Sequence, residues 1–128
     1  NSAYNGAGVF ISSGTVTMTS SSIHGNTAGY IGGGVYGQGG TVTLSSCIIN
    51  GNTAFQGGGV AVYGGTVAIS SNSIISGNRC PNYRGGGVFV NGGTVAIVSS
   101  SIYGNTVMDY GPNVYVLEAQ LHLGNDPH

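Results

Sequence analysis

Charged side chains are almost absent from this chain of 128 residues. Two Lys or Arg and three Asp or Glu give a formal net charge of −1 at pH 7. An average globular domain is about 25% charged, whereas this chain is 4% charged. Because so weak a field attracts neither phosphate groups nor anionic lipid headgroups, we expect no nucleic-acid binding and no attachment to an anionic membrane.

Long apolar runs, proline and cysteine are scarce as well. The apolar runs are only a few residues long, which excludes insertion of a transmembrane helix. Three prolines and the lack of a three-residue glycine period exclude collagen, although 26 residues are Gly. Cys47 and Cys80 match no metal-binding spacing, so we interpret both as buried or incidental thiols, and the sequence leaves their oxidation state open.

Three short words recur in the same order along the chain, and such a repeat indicates a stacked architecture. Thr-Val pairs begin at Thr15, Thr41, Thr66 and Thr94, with spacings of 26, 25 and 28 residues. Gly-Val pairs place valine at Val9, Val35, Val60 and Val88. The word Ile-x-Gly-Asn ends at Asn26, Asn52, Asn78 and Asn105.

Each word alternates apolar and polar residues, is rich in β-branched side chains and is bounded by Gly or Asn. This pattern predicts a short strand between turns. Three such strands cannot bury their apolar faces until successive coils stack. The sequence therefore predicts an all-β, right-handed parallel β-helix of about four and a half coils, each of roughly 26 residues with three short strands.

The repeat also fixes which side chains point inward. We expect Val35, Val42, Leu44 and Ile49 of the second coil, and their counterparts in the other coils, to point inward. A further inward row contains Ile11, Val62 and Val90, and Cys47 points inward as well. The segments 114–116 and 120–123 align with 88–90 and 94–97 and predict a partial fifth coil. The chain opens within a repeat and without a leader pattern. We therefore interpret residues 1–128 as one β-helix domain that is a segment of a larger protein or assembly.

Asparagine and glycine mark the corners between strands. Both residues tolerate the left-handed backbone region, and an Asn amide also hydrogen-bonds neighbouring backbone. Because the repeat stacks equivalent corners, we expect a structural amide ladder made of Asn26, Asn52, Asn78 and Asn105.

Gly-Gly-Gly-Val followed downstream by Ile-x-Gly-Asn resembles the paired motifs of polymorphic outer membrane protein repeats. More broadly, it resembles the right-handed β-helix repeats of the pectin-lyase-like superfamily. The first motif stands at Gly32-Gly33-Gly34-Val35 and twice more, and the second at Ile49-Asn50-Gly51-Asn52 and three further places. The resemblance covers nearly the whole chain. It implies the β-helix fold and similarity to passenger regions of surface adhesins and other large extracellular proteins.

Some pectin-lyase-like proteins are polysaccharide lyases or hydrolases, which need clustered carboxylates. Here the carboxylates are Asp109, Glu118 and Asp126, which do not stack on adjacent coils. His24 and the two later histidines are scattered too. We therefore predict no enzyme, no catalytic residues, no cofactor and no metal site.

Two outward ladders are candidate binding surfaces. The first is aromatic and comprises Phe10, Tyr36, Phe89 and Tyr115. It either stabilises its sheet or provides an exposed face on which a protein or glycan docks. The second comprises Thr15, Thr17, Thr41, Thr43, Thr66 and Thr94. It is either an ordinary solvated strand face or a surface similar to those of ice-binding proteins.

The leading hypothesis is a non-catalytic, extracellular or cell-surface structural or adhesion segment. Its expected partner is protein, through self-stacking or a larger assembly such as a filament or appendage. The alternative is a ligand-binding solenoid, with ice on the threonine ladder or glycan on the aromatic ladder. A polysaccharide lyase or hydrolase ranks last.

Overall fold

The structure, a computed structural model, describes residues 1–81, 86–107, 114–117 and 120–124. Every regular element in these ranges is a β-strand. Coil one contains β1 (Ser2–Asn5), β2 (Val9–Ile11), β3 (Thr15–Thr19) and β4 (Ser22–His24). Coil two contains β5 (Thr27–Ile31), β6 (Val35–Gly37), β7 (Thr41–Ser45) and β8 (Ile48–Asn50). Coil three contains β9 (Val60–Val62), β10 (Thr66–Ser70) and β11 (Ile74–Ser76).

The later coils repeat this order. Coil four contains β12 (Arg79–Cys80), β13 (Val88–Asn91), β14 (Thr94–Val98) and β15 (Ser101–Tyr103). The described part of coil five contains β16 (Thr106–Val107), β17 (Val114–Leu117) and β18 (Gln120–Gly124). The register pairs Val88 with Val114 and Thr94 with Gln120, as the sequence predicted for a partial fifth coil.

Three sheets run along the stack, and every strand pairs in parallel with the equivalent strand of the next coil. The first sheet has the order β2-β6-β9-β13-β17, the second β3-β7-β10-β14-β18, and the third β4-β8-β11-β15. All of these pairs are parallel. The predicted all-β parallel β-helix with three strands per coil is therefore confirmed.

A fourth, interrupted ladder fills the corner between the third and first sheets, where the sequence predicted only a connection. It pairs β1 with β5 and β12 with β16. Isolated parallel bridges join Thr27 to Thr53 and Thr53 to Arg79, so the ladder passes through coil three. A bulge in the β1–β5 pairing shows that it is less regular than the three main sheets.

The core lies inside the coil and consists of the inward ladders. Val35, Val42, Leu44 and Ile49 are at most 1% exposed. The residues stacked above and below them belong to the same apolar cluster, with Val9, Val16, Met18 and Ile102 packed at its margins. This confirms the predicted register, which a shift of one residue would have inverted.

Truncation of Ile49 to Ala should lower the free energy of unfolding by about 3 kcal/mol, because the lost methyl groups leave a cavity between Ile23 and Ile75. Urea denaturation monitored by circular dichroism measures this loss. Ile48→Ala is the matched control, since Ile48 is 42% exposed on the same strand. An equal effect of both substitutions would contradict the inward register.

Both cysteines are buried, as expected. The Cys47 thiol donates to the Met18 carbonyl oxygen at 3.3 Å, and its backbone N–H donates to Ser73 Oγ at 3.0 Å. The Cys80 thiol donates to the Phe55 carbonyl oxygen at 2.6 Å. Each thiol thus fills space inside the coil and donates to a backbone carbonyl oxygen.

Candidate functional site

The asparagine corner forms a continuous amide ladder across four coils. The Nδ2 group of each asparagine donates to Oδ1 of the next, from Asn26 to Asn52 and from Asn52 to Asn78 at 3.0 Å, and from Asn78 to Asn105 at 2.9 Å. The same Oδ1 atoms also accept the backbone N–H of the preceding asparagine. The predicted corner ladder is therefore present.

The ladder is buried and its amides are satisfied on both sides. Asn52 and Asn78 are at most 1% exposed. Their Nδ2 groups also donate to the carbonyl oxygens of Ile23 and Ile49, at 3.0 and 2.9 Å. Since every polar atom of these two amides is engaged within the coil, the ladder stabilises the corner and offers no group to an external ligand.

The aromatic side chains of the first sheet do stack along the helix axis. Phe10 and Tyr36 lie with ring centroids 5.1 Å apart and planes at 7°. Tyr36 meets Tyr63 edge to face at 5.7 Å, and Tyr63 meets Phe89 at 5.8 Å. Such contacts stabilise the sheet beyond the area that they bury.

Two members of this row are buried, contrary to the alternative of an exposed docking face. Phe10 is 51% exposed, but Tyr36 is 4% and Phe89 1% exposed. The reason is that Ile31 and Tyr63, from segments flanking the first sheet, pack over Tyr36 and Ala61. The side chain of Tyr115 lies outside the described part of the chain. The row therefore offers no continuous exposed face for a glycan or a protein.

A second row of stacked aromatic side chains, which was not predicted from the sequence, runs along the fourth strand ladder. Tyr4 stacks on Tyr30 at 5.6 Å and 30°, and Tyr30 contacts Phe55 at 5.6 Å and 42°. Tyr4 is 69% exposed. The signal was present in the sequence, since these rings recur at spacings of 26 and 25 residues, each one or two residues after an Asn-x-Ala segment.

The predicted threonine ladder lies on the outer face of the second sheet. Thr15, Thr41, Thr66 and Thr94 pair in register from coil to coil. A parallel row begins with Thr17 and Thr43 and continues with alanine. Thr15, Thr17, Thr41 and Thr66 are exposed, whereas Thr43 and Thr94 are half-buried.

The chain matches a family model described as "Right handed beta helix region" over residues 1–126. The chain belongs to the right-handed β-helix family. No curated protein and no solved structure matches it. This family contains enzymes as well as non-enzymes, so membership establishes the fold and not the activity.

This right-handed β-helix brings no candidate catalytic or metal-binding groups together within its described residues. No group of three or more His, Cys, Asp or Glu side chains converges there. Asp109, Glu118 and Asp126 lie outside those residues. A shallow, open depression on the third sheet is lined by His24, Ile48 and Asn50 with neighbouring Ser and Gly residues, and it contains no carboxylate. In the same described ranges, no helix is long and apolar enough to span a membrane.

Burial of Tyr36 makes the free energy of unfolding of the β-helix fall at alkaline pH. Desolvation raises the pKa of Tyr36 above its ordinary value of 10.0, and the nearby Tyr30 adds to the rise. The folded chain therefore retains this proton where the unfolded chain releases it. The contribution of the protonated Tyr36 phenol to the free energy of unfolding is fully present below pH 10 and is lost as the pH rises through the folded-state pKa.

We accordingly expect the free energy of unfolding to fall between pH 9 and pH 11, and to fall less in Tyr36→Phe. Urea denaturation of both proteins at the two values measures the difference. Tyr103→Phe is the control, because Tyr103 is 55% exposed. If the free energy of unfolding of Tyr36→Phe fell as much between pH 9 and pH 11 as that of the unsubstituted chain, the buried phenol would not be responsible for the pH dependence.

Proposed function

We propose that the chain is a non-catalytic structural segment of an extracellular fibre, appendage or cell-surface assembly, in which β-helix coils stack end to end. The observation that carries this proposal is the open rim of coil one. We define the first-coil rim as Tyr4, Val9, Phe10, Val16 and Met18. These side chains have the positions of core or stacked residues, and among the described residues no further coil packs against them on one side.

The inward side chains of the rim are incompletely buried. Val9, Val16 and Met18 are half-buried, whereas their partners in coil two, Val35, Val42 and Leu44, are at most 1% exposed. A cavity opens at this end, lined partly by Val9, Met18 and Ile23. One further coil would bury this apolar surface, which stabilises association by about 25 cal/mol for each Å² removed from water.

The rim also presents two aromatic rings with no ring stacked beyond them among the described residues. Tyr4 is 69% exposed while Tyr30, the next in its ladder, is 36% exposed. Phe10 is 51% exposed while Tyr36 is 4% exposed. An added coil with aromatic side chains at the same positions would continue both stacks in the geometry that coils one and two already have.

The strand edges at the rim are open as well. β2, β3 and β4 each stand at the end of their sheet in the described chain. Unpaired edges accept further strands unless charge, proline or a bulge blocks them. Residues 1–24 contain no Lys, Arg, Asp, Glu or Pro, and the bulge in coil one lies in β1, outside the three main sheets, so none of these features blocks the edges of β2, β3 and β4.

The remaining parts of the proposal rest on composition and resemblance. The first 107 residues contain no carboxylate side chain, which supports a non-catalytic role. The resemblance to passenger repeats of surface adhesins supports an extracellular or cell-surface location. The low charge supports contacts made by packing rather than by electrostatic steering.

The proposal is tested by sedimentation velocity of the 128-residue chain over a range of concentrations. We expect concentration-dependent oligomers, which Met18→Lys abolishes because it places a charge in the open end of the core. Thr17→Lys is the matched control, since Thr17 is the exposed neighbour on the same strand. Circular dichroism confirms that both variants fold. A chain that stays monomeric, or a Met18→Lys variant that assembles normally, would overturn the proposal.

A further inference from the structure

Asn26 lies at the open end of the asparagine ladder and makes only part of the hydrogen bonds that its counterparts make. Its side chain is 5% exposed, so it is buried nearly as fully as Asn52 and Asn78. The Nδ2 group of Asn26 donates to Asn52 Oδ1 at 3.0 Å. Among the described residues, no group donates to Asn26 Oδ1, and the Nδ2 group has no second acceptor.

The open groups of Asn26 face the cavity at the first-coil rim. Asn26 lines this cavity of about 290 Å³ together with Val9, Met18 and Ile23. In the described part of the chain, every fully buried side-chain polar atom has a hydrogen-bond partner. Because Asn26 Oδ1 has none, this oxygen is reached through the cavity. A nearly buried amide that directs an acceptor and a donor into an apolar cavity selects a partner that offers both complements.

The following coils show which groups complete such an amide. Asn52 Oδ1 accepts from the N–H and Nδ2 groups of Asn26, and Asn52 Nδ2 donates to the Ile23 carbonyl oxygen. Asn78 makes the same three contacts with Asn52 and Ile49. The complement of each amide is therefore one Ile-x-Gly-Asn motif in the preceding coil, whose Ile supplies the carbonyl oxygen and whose Asn supplies both donors.

The backbone at the same end sets a second requirement for an incoming coil. A Cβ atom on Gly34 would lie 2.5 Å from the carbonyl oxygen of Gly59, and a Cβ atom on Gly8 would lie 2.5 Å from that of Gly34. Consecutive coils thus approach each other too closely for a side chain at this position. A coil that stacks against Gly8 therefore needs glycine here as well, at the last glycine of the Gly-Gly-Gly-Val motif.

We propose that the first-coil rim recognises the last coil of a right-handed β-helix that carries both motifs, Gly-Gly-Gly-Val and Ile-x-Gly-Asn. This recognition rests on the proposed end-to-end assembly and adds the identity of the partner and the direction of growth. A second first-coil rim does not fit, because the chain runs in opposite senses round two rims that face each other. The three parallel sheets could not all continue across such a junction. Growth at this rim is therefore polar.

The test uses an extended chain, in which a copy of residues 27–52, the added coil, is joined directly before Asn1. Asn52 of the added coil then precedes Asn26 by 26 residues, which is the spacing of the bonded pair Asn26 and Asn52. NMR spectroscopy measures hydrogen exchange of the Asn26 Nδ2 protons in the extended and the original chain. We expect the proton that is not bonded to Asn52 Oδ1 of the original coils to exchange at least about tenfold more slowly in the extended chain, because the added coil supplies its acceptor.

Three variants of the added coil test whether the two motifs are responsible. Asn52→Ala or Gly34→Ala, made only in the added coil, should abolish most of this slowing, since each removes one of the two requirements. Asn50→Ala in the added coil is the matched control, because this position is exposed, and it should keep the slowing. Circular dichroism confirms that the original coils remain folded in every variant.

Unchanged exchange of the Asn26 protons in the folded, extended chain would overturn the proposed recognition. Equal slowing by the Asn52→Ala and Gly34→Ala coils would overturn it too, as would loss of the slowing in the Asn50→Ala coil. These outcomes are separate from the test of assembly, because the added coil is covalently attached. A 128-residue chain that stays monomeric in sedimentation velocity overturns the assembly, whereas slowing that depends on both motifs still supports the recognition.

Discussion

Replacing Gly34 with Ala is expected to unfold the β-helix or to lower its free energy of unfolding by about 5 kcal/mol or more. A Cβ atom on Gly34 would lie 2.5 Å from the carbonyl oxygen of Gly59 and 2.9 Å from Ile49 Cγ2. The nearest atom is backbone and cannot move aside as a flexible side chain would. Because consecutive coils stack backbone on backbone here, the added methyl group forces the coils apart.

The matched control for Gly34→Ala is Gly37→Ala, three residues away in the same coil. Gly37 stands in register with Ile11 and Val62, at an inward position without a side chain. A Cβ there meets only Val67 Cγ2, at an ordinary 3.8 Å. We expect Gly37→Ala to stabilise the fold by about 1 kcal/mol, through methyl burial and a less flexible unfolded chain. Urea denaturation of both variants measures the two effects, and equal effects would contradict this account of backbone stacking.

The second large effect is expected for Asn52→Ala, which should cost at least about 4 kcal/mol. Asn52 Oδ1 accepts two hydrogen bonds from Asn26, and its Nδ2 group donates to Asn78 Oδ1 and to the Ile23 carbonyl oxygen. The substitution removes these hydrogen bonds from the Asn26 N–H and Nδ2 groups and from the Ile23 carbonyl oxygen, and each buried group left without a partner costs about 1–3 kcal/mol. Asn78 Oδ1 keeps the bond from the backbone N–H of residue 52. Water entering the corner offsets only part of this cost.

Asn50→Ala is the control for Asn52→Ala, since Asn50 is exposed at the end of β8, two residues before Asn52. It should change the free energy of unfolding by less than about 0.5 kcal/mol. Thermal or urea denaturation of the two variants measures the contrast. If Asn52→Ala unfolded like Asn50→Ala, the amide ladder would be incidental to stability.

The sequence predicted those features that repeat in every coil. The inward residues Val42, Leu44 and Ile49, the register between coils and the asparagine corner all followed from words that recur at about 26 residues. Such features are predictable because stacking places equivalent positions on one another, so a single register decides the surroundings of every copy.

Features that depend on residues outside the repeat words could not be predicted. Tyr36 is buried in a cluster with Ile31, Ala61 and Tyr63, and the Tyr63 ring also contacts Phe89, whereas neither Ile31 nor Tyr63 belongs to a repeated motif. One feature that repeats in each of the first four coils was also missed, because Ser20, Ser46, Ser71 and Ser99 hold the left-handed conformation, with φ between 47° and 57°. Serine is not a usual marker of that conformation, for which Gly and Asn are preferred.

The central claim is that coils stack end to end beyond the first-coil rim. Electron cryomicroscopy of the 128-residue chain, at concentrations where it sediments as oligomers, tests this claim most directly. We predict elongated particles in which the coil spacing of about 4.8 Å continues unbroken across the junction between copies. Particles in which the copies lie side by side, or single chains at every concentration, would contradict the claim.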